Sequence, residues 1–135
     1  MKKALSVLLC VAIVIVGIVS ITSCNNTAEG VWENATYTKD TTLGDGEKEV
    51  KVEFEAQDKS VTITLLTDKA TLGEALYEHG LINDPSFFDT ANGMKADWSK
   101  DQSWWNVQKD GVSSMVGVDQ IQISDGEHYE LVYAK

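Results

Sequence analysis

The chain has 135 residues, with 21 acidic side chains against 11 lysines and no arginine, so its formal charge at neutral pH is −10. That balance excludes a nucleic-acid binder, which needs a basic face to neutralise phosphates, and it excludes a polybasic hold on anionic lipid. The acid excess is expected to form a solvated exterior.

Lys2 and Lys3 precede an unbroken apolar run, ALSVLLCVAIVIVGIVS at 4–20, and ITSC follows at 21–24. A charged start, an apolar middle and small residues before a cut describe an export signal. Ile21, Thr22, Ser23 and Cys24 resemble the lipobox of bacterial lipoproteins, in which the cysteine receives a diacylglyceryl group and becomes the new N-terminus. The competing reading is an uncleaved signal anchor, because the run is nearly long enough to span a bilayer. With the lipobox reading, cleavage before Cys24 removes 23 of the 135 residues and leaves 112. That is enough for one domain with one core. Cys10 leaves with the signal, so the remaining chain holds one cysteine and no internal disulfide, and its stability must come from packing.

Residues 24–46 are expected to be the lipidated Cys24 and a tether. The segment is polar and Gly-punctuated, with Trp32 and Tyr37 as its bulk and a second half able to dock on the domain. The domain proper is placed at 47–135. EVKVEFEA alternates Val50, Val52, Phe54 and Ala56 against Lys51, Glu53 and Glu55, the pattern of a half-buried strand. After the turn at QDK, SVTITLLT forms its hairpin partner with Val61, Ile63 and Leu65 inward. The period then changes. Thr71 and Glu74 stand at capping-box spacing, Leu72, Ala75 and Leu76 form a stripe, and Gly80 stops a short helix. SFFDTA, SWWNVQ and HYELVYA are expected as further strands, each next to an Asn-Gly or Asp-Gly turn; IQI at 121–123 adds a short edge piece. Hairpin, one short helix and two or three more strands predict an α+β fold, β-grasp-like, with the helix packed on a small mixed sheet of four to five strands. The fallback is another two-layer α+β sandwich.

Catalytic chemistry is sparse. The chain has no CxxC, HExxH, Gly-rich phosphate loop or GxSxG. His79 reads as a helix-end cap and His128 as a solvated rim residue, so no catalytic residue and no metal site are assigned. Asp97, Ser99 and Asp101 have the first spacings of a calcium loop, but Gln102 and Gln108 replace its essential Gly and Glu. The remaining candidates are aromatic. On a strand Trp105 shares a face with Val107, so Trp105 goes to the core and Trp104 points out beside Asn106 and Gln108. An outward Trp flanked by amides suits a flat ligand; the plainer alternative is a Trp covered by WENATYT or SSMVGVD.

TLGEALYEHGLI, TANGMKADWSKDQSWW, DGVSSMVGVD and DGEHYELVYAK together resemble the bacterial lipoprotein branch of the transcobalamin-like carboxy-terminal domain family, over about residues 30–135. The resemblance implies a β-grasp-like fold and a cell-surface role in binding a small ligand, with cobalamin or another corrinoid captured for an importer. It places Asn92, Gly93, Trp104, Asn106, Gly111 and Asp119 at surface or turn positions near any site. The chain departs from the pattern where Asn106, Val107 and Gln108 replace bulkier aromatics, and where Asp110-Gly111 and Gly126-Glu127 replace Asn-Gly and Gly-Asp. Expected partners are therefore the membrane through Cys24, a corrinoid, and an importer or other cell-envelope protein. The alternative is a surface protein-interaction module without a small-molecule ligand.

Overall fold

A computed structural model describes residues 30–135; the apolar run, the lipobox and Cys24 lie outside them. Strands β1 (Thr41–Gly44), β2 (Lys48–Ala56) and β3 (Lys59–Thr67) are followed by helix α1 (Leu72–Glu78). The chain continues through the small hairpin β4 (Thr90–Ala91) and β5 (Met94–Lys95), helix α2 (Trp98–Asp101), β6 (Trp104–Lys109), β7 (Val112–Ser113) and β8 (His128–Ala134). Six of the strands form one mixed sheet in the order β1-β3-β2-β8-β6-β7, with β4 and β5 as a separate pair. β2 is antiparallel to β3 and parallel to β8, and β6 runs antiparallel to β8.

The core sits on one face of this sheet. The alternating residues Val50, Val52, Phe54 and Ala56 and their hairpin partners Val61, Ile63 and Leu65 are all buried. A sheet with one apolar face needs a cover, and α1 supplies it with Leu72, Ala75 and Leu76. Seven residues make a helix too short to persist alone, so both ends are fixed. Thr71 Oγ1 accepts from Glu74 N–H at 3.2 Å. At the other end Gly80 turns left-handed (φ 71°), and Gly80 N–H and Leu81 N–H donate to the carbonyls of Tyr77 and Leu76, the Schellman arrangement with Leu81 and Leu76 both buried.

The sheet is wider than the expected four to five strands, because β1 joins β3 in parallel from Thr41↔Ile63 to Gly44↔Leu66 and β7 joins β6 at Gln108↔Ser113 and Lys109↔Val112. The segment assigned as tether therefore enters the fold from residue 31 onwards, and residues 31–135 form one compact unit. Trp32 is buried, and its indole N–H donates to Ala56 C=O at 2.8 Å. SFFDTA is the other departure. Only Thr90 and Ala91 are in a strand, because Asp84 folds the preceding residues into a tight loop described below.

Asn92 and Gly93 form the β4–β5 turn, both at positive φ (52° and 81°). Asn92 is fully buried, and its amide is engaged by the backbone of Tyr37: Oδ1 accepts from Tyr37 N–H and Nδ2 donates to Tyr37 C=O, both at 2.9 Å. The turn thus clamps the incoming chain. Asn92→Ala removes both bonds, strands two backbone groups and keeps a left-handed φ, so it should lower unfolding free energy by about 2–4 kcal/mol. Chemical denaturation checks this; a loss under about 1 kcal/mol would mean the clamp is dispensable.

Candidate functional site

Three exposed aromatic side chains gather at the end of the molecule where β6 begins. Phe87 is 85% exposed, Trp98 63% and Trp104 46%. With Phe88, Lys95 and Ser103 they line an open cleft of about 580 Å³. Exposed single apolar residues are ordinary, but a contiguous group on the wall of one concavity marks a binding surface.

Each aromatic stands beside a segment that an aspartate ties down: the Phe87 loop, the start of α2 at Trp98 and the lead-in to β6 at Trp104. Asp84 Oδ1 accepts from Ser86 N–H (2.8 Å), Phe87 N–H (3.0 Å) and Ser86 Oγ–H (3.0 Å). Asp97 caps α2, accepting from Ser99 Oγ–H at 2.7 Å and Ser99 N–H at 3.1 Å, which fixes Trp98 between them. Asp101 accepts from Ser103 Oγ–H at 2.6 Å and lies 3.4 Å from Lys135 Nζ, just ahead of Trp104. Carboxylates that receive such bonds are favoured in the charged form. The backbone bonds of Phe87 and Ser86 hold Asp84 below the usual carboxylate range. The Ser99 hydroxyl does the same for Asp97, and the Ser103 hydroxyl, helped by Lys135, for Asp101.

Ordering of the three segments is complete above the ordinary carboxylate range and is lost as pH falls through the depressed values. Emission from Trp98 and Trp104 should stay constant from neutral pH down to about 5, then shift towards that of free tryptophan before the core unfolds. A shift that coincides with global unfolding monitored by circular dichroism would contradict this.

Trp105 sits on the opposite face of β6 at 7% exposure. Its indole N–H donates to Met94 C=O at 3.1 Å, and its ring meets Tyr133 edge-on, with centroids 5.5 Å apart. Neighbouring tryptophans on a strand are thereby divided between core and cleft. Trp104 stays 46% exposed and borders a cleft shared with Ser114, Val116, Gly117 and Val118, while Trp32 is buried against Ala56.

Of the six residues placed near a site, the structure brings two together: Trp104 and Asn106 share the outer face of β6 and both border a smaller cleft of about 200 Å³. Asn106 Nδ2 donates to Ser113 Oγ at 3.0 Å. The other four lie apart. Asn92 and Gly93 form the buried clamp on Tyr37, Gly111 is the tip of the β6–β7 hairpin (φ 82°), and exposed Asp119 sits in the 3-10 helix Val118–Gln120. Phe87 and Trp98 were not among the expected residues. The signal for them was local: DPSF and DWS each set an aromatic beside an aspartate and a serine at the spacing of a side-chain-to-backbone turn.

Another cavity, of about 450 Å³, lies under the β6–β7 hairpin between Val107, Val112, Ile121 and Tyr129. Its cation is already engaged: Lys109 Nζ lies 2.8 Å from Glu127 and above the Tyr129 ring. Partial burial would raise the Glu127 carboxyl, but bonds from Lys109, Tyr129 and the Ser124 N–H outweigh it and hold the group below its ordinary value. This is a structural knot at the start of β8. Among the described residues no group of three or more His, Cys, Asp or Glu side chains is placed to hold a metal ion.

No family model and no curated protein matches the chain. Among solved structures, a "putative metal binding protein" from Ruminococcus gnavus ATCC 29149 is 32% identical; the match covers 66% of this chain and 98% of that one, with a TM-score of 0.61. The chain belongs to that protein's family. Haptocorrin in complex with Cbi also matches, at 14% identity over 87% of this chain and 28% of haptocorrin, with a TM-score of 0.47.

Proposed function

We propose that the protein is an exported, lipid-anchored binding protein, without enzymatic activity, whose aromatic cleft captures a flat and largely apolar small molecule. The observation that carries this reading is the convergence of Phe87, Trp98 and Trp104 on one concavity, each beside a segment whose backbone or hydroxyl groups an aspartate holds. Rigid aromatic anchors give contact area at little cost in conformational entropy, and the open shape suits a ligand that is held by one face. A corrinoid is the candidate, because its broad ring meets that requirement and because the sequence resembles the transcobalamin-like domain. The β-grasp assignment belongs to the same reading: hairpin, helix and a last strand running parallel to the first strand of the hairpin are its order of elements.

Export and anchoring rest on the 1–24 segment, with Cys24 as the lipidated residue, and place the cleft at the cell surface within reach of an importer. Two acyl chains on that cysteine would make attachment stable where one would be marginal. Mass spectrometry of the mature N-terminus tests the anchor, and an unmodified Met1 would overturn it. Titration of the tryptophan emission with cobinamide tests the cleft. Saturable quenching is expected; quenching that rises linearly, as collision alone produces, would oppose the reading.

A further inference from the structure

The smaller cleft holds an unfinished sheet edge. β6 pairs with β8 along its whole length, from Trp104↔Ala134 to Lys109↔Tyr129. On its other side β7 reaches only Gln108 and Lys109. One more bond, Ser114 N–H to Val107 C=O at 2.7 Å, ends that ladder. Backbone groups of an antiparallel strand alternate between its two neighbours, residue by residue. Since the Val107 carbonyl faces the β7 side, the N–H and C=O of Trp105 face that side too. There β7 has ended, and neither group has a partner among the described residues. Trp105 lines the 200 Å³ cleft, together with Ser114, Val116, Gly117 and Val118 of the loop that follows β7.

We infer that this edge accepts an extended peptide of a partner protein as an added strand, through a reciprocal pair of hydrogen bonds with the Trp105 backbone. Three observations select that occupant. The donor–acceptor pair at one residue is the repeat unit of strand addition. Three guards of a free edge are missing: Ser103 to Asn106 include no charge and no proline, and β6 has no bulge, keeping an unbroken register with β8 through the gap. Apolar side chains flank the slot, with Phe87, Trp104 and Val116 all exposed. Strand addition sends alternate side chains of the guest to opposite faces, so one apolar guest residue would rest against Phe87 and Val116.

Charge narrows the partner. No charged side chain lines this cleft, and the chain as a whole carries −10. A second copy would bring the same negative charge to a contact only a few residues long, whereas a peptide with basic flanks is attracted. The guest is thus an extended segment, apolar at its centre and lysine- or arginine-bearing at its ends. The slot shares Phe87, Phe88, Trp104 and Trp105 with the large cleft, so the two readings are separated at Trp98, which borders the large cleft and not this one.

The test uses the isotope-labelled chain from Asn25, which contains the whole 31–135 unit and every strand partner described above. The probe is the acetylated and amidated peptide Lys-Thr-Val-Thr-Val-Thr-Lys, with an analogue N-methylated at both valines. In the free protein the Trp105 amide should exchange with solvent at least about tenfold faster than its neighbour Asn106, whose amide faces β8. The parent peptide should shift the Trp105 resonance and slow its exchange, the methylated analogue should not, and Trp98→Ala should leave the effect intact. A Trp105 amide already protected in the free protein would overturn the inference. So would one that millimolar parent peptide leaves unchanged, or one that both peptides protect equally.

Discussion

Trp105→Ala should lower the unfolding free energy by about 3–5 kcal/mol, while Trp104→Ala, one residue away, should cost less than about 1 kcal/mol. The difference comes from the pleat. Trp105 fills the end of the core, contacts Tyr133 edge to face and donates to Met94 C=O; truncation leaves a large void and removes that buried bond. Trp104 leaves the strand on the other face and is nearly half exposed, so its removal takes little surface out of contact. Trp105→Phe restores volume but not the N–H, and should recover more than half of the loss. Denaturant midpoints at unchanged slope are the measurement. Similar costs for the two alanine variants would mean that the face assignment of β6 is wrong.

The second large effect falls on binding. Trp98→Ala and Trp104→Ala should each weaken corrinoid affinity by roughly 30-fold, about 2 kcal/mol, as loss of a central aromatic anchor does. Phe87→Ala should act in the same direction. Asp84→Ala touches no ligand in this account, yet it frees the loop that presents Phe87, and should weaken binding severalfold by loss of preorganisation. All four variants should melt close to the parent protein, since the residues are exposed or lie in loops. A Trp104 variant with parental affinity would remove that residue from the site.

Much of the fold was legible because its periodicities are clean. EVKVEFEA alternates without error, and every residue of its inward set is buried. Thr71, the Leu72-Ala75-Leu76 stripe and Gly80 specify α1 from cap to stop. What was hidden depends on distant contacts. TTLG carries no alternation that distinguishes it from a polar linker, and it becomes a strand only because β3 offers an edge. Trp32 reads as bulk able to dock, but nothing near it in sequence names the dock, the carbonyl of Ala56 24 residues away. SFFDTA looks apolar enough for a strand, but the Asp84 side chain competes for the backbone and turns the chain first.

The site was legible in part for the same reason. The outward direction of Trp104 follows from the strand period alone. Asn92 looks like an exposed turn residue, because its sequence neighbours give no hint of Tyr37, 55 positions earlier, which occupies its amide. The Asp97-Ser99-Asp101 spacing suggested cation ligands in outline, whereas the carboxylates serve as caps that hold Trp98 and Ser103 in place.

Calorimetric titration of the chain from Asn25 with cobalamin and with cobinamide decides whether the cleft captures a corrinoid. Saturable binding of at least one of them is expected, at about micromolar affinity or tighter, near −8 kcal/mol, with a clear loss in Trp104→Ala. No heat with either ligand, under conditions where the protein is folded by circular dichroism, would contradict corrinoid capture.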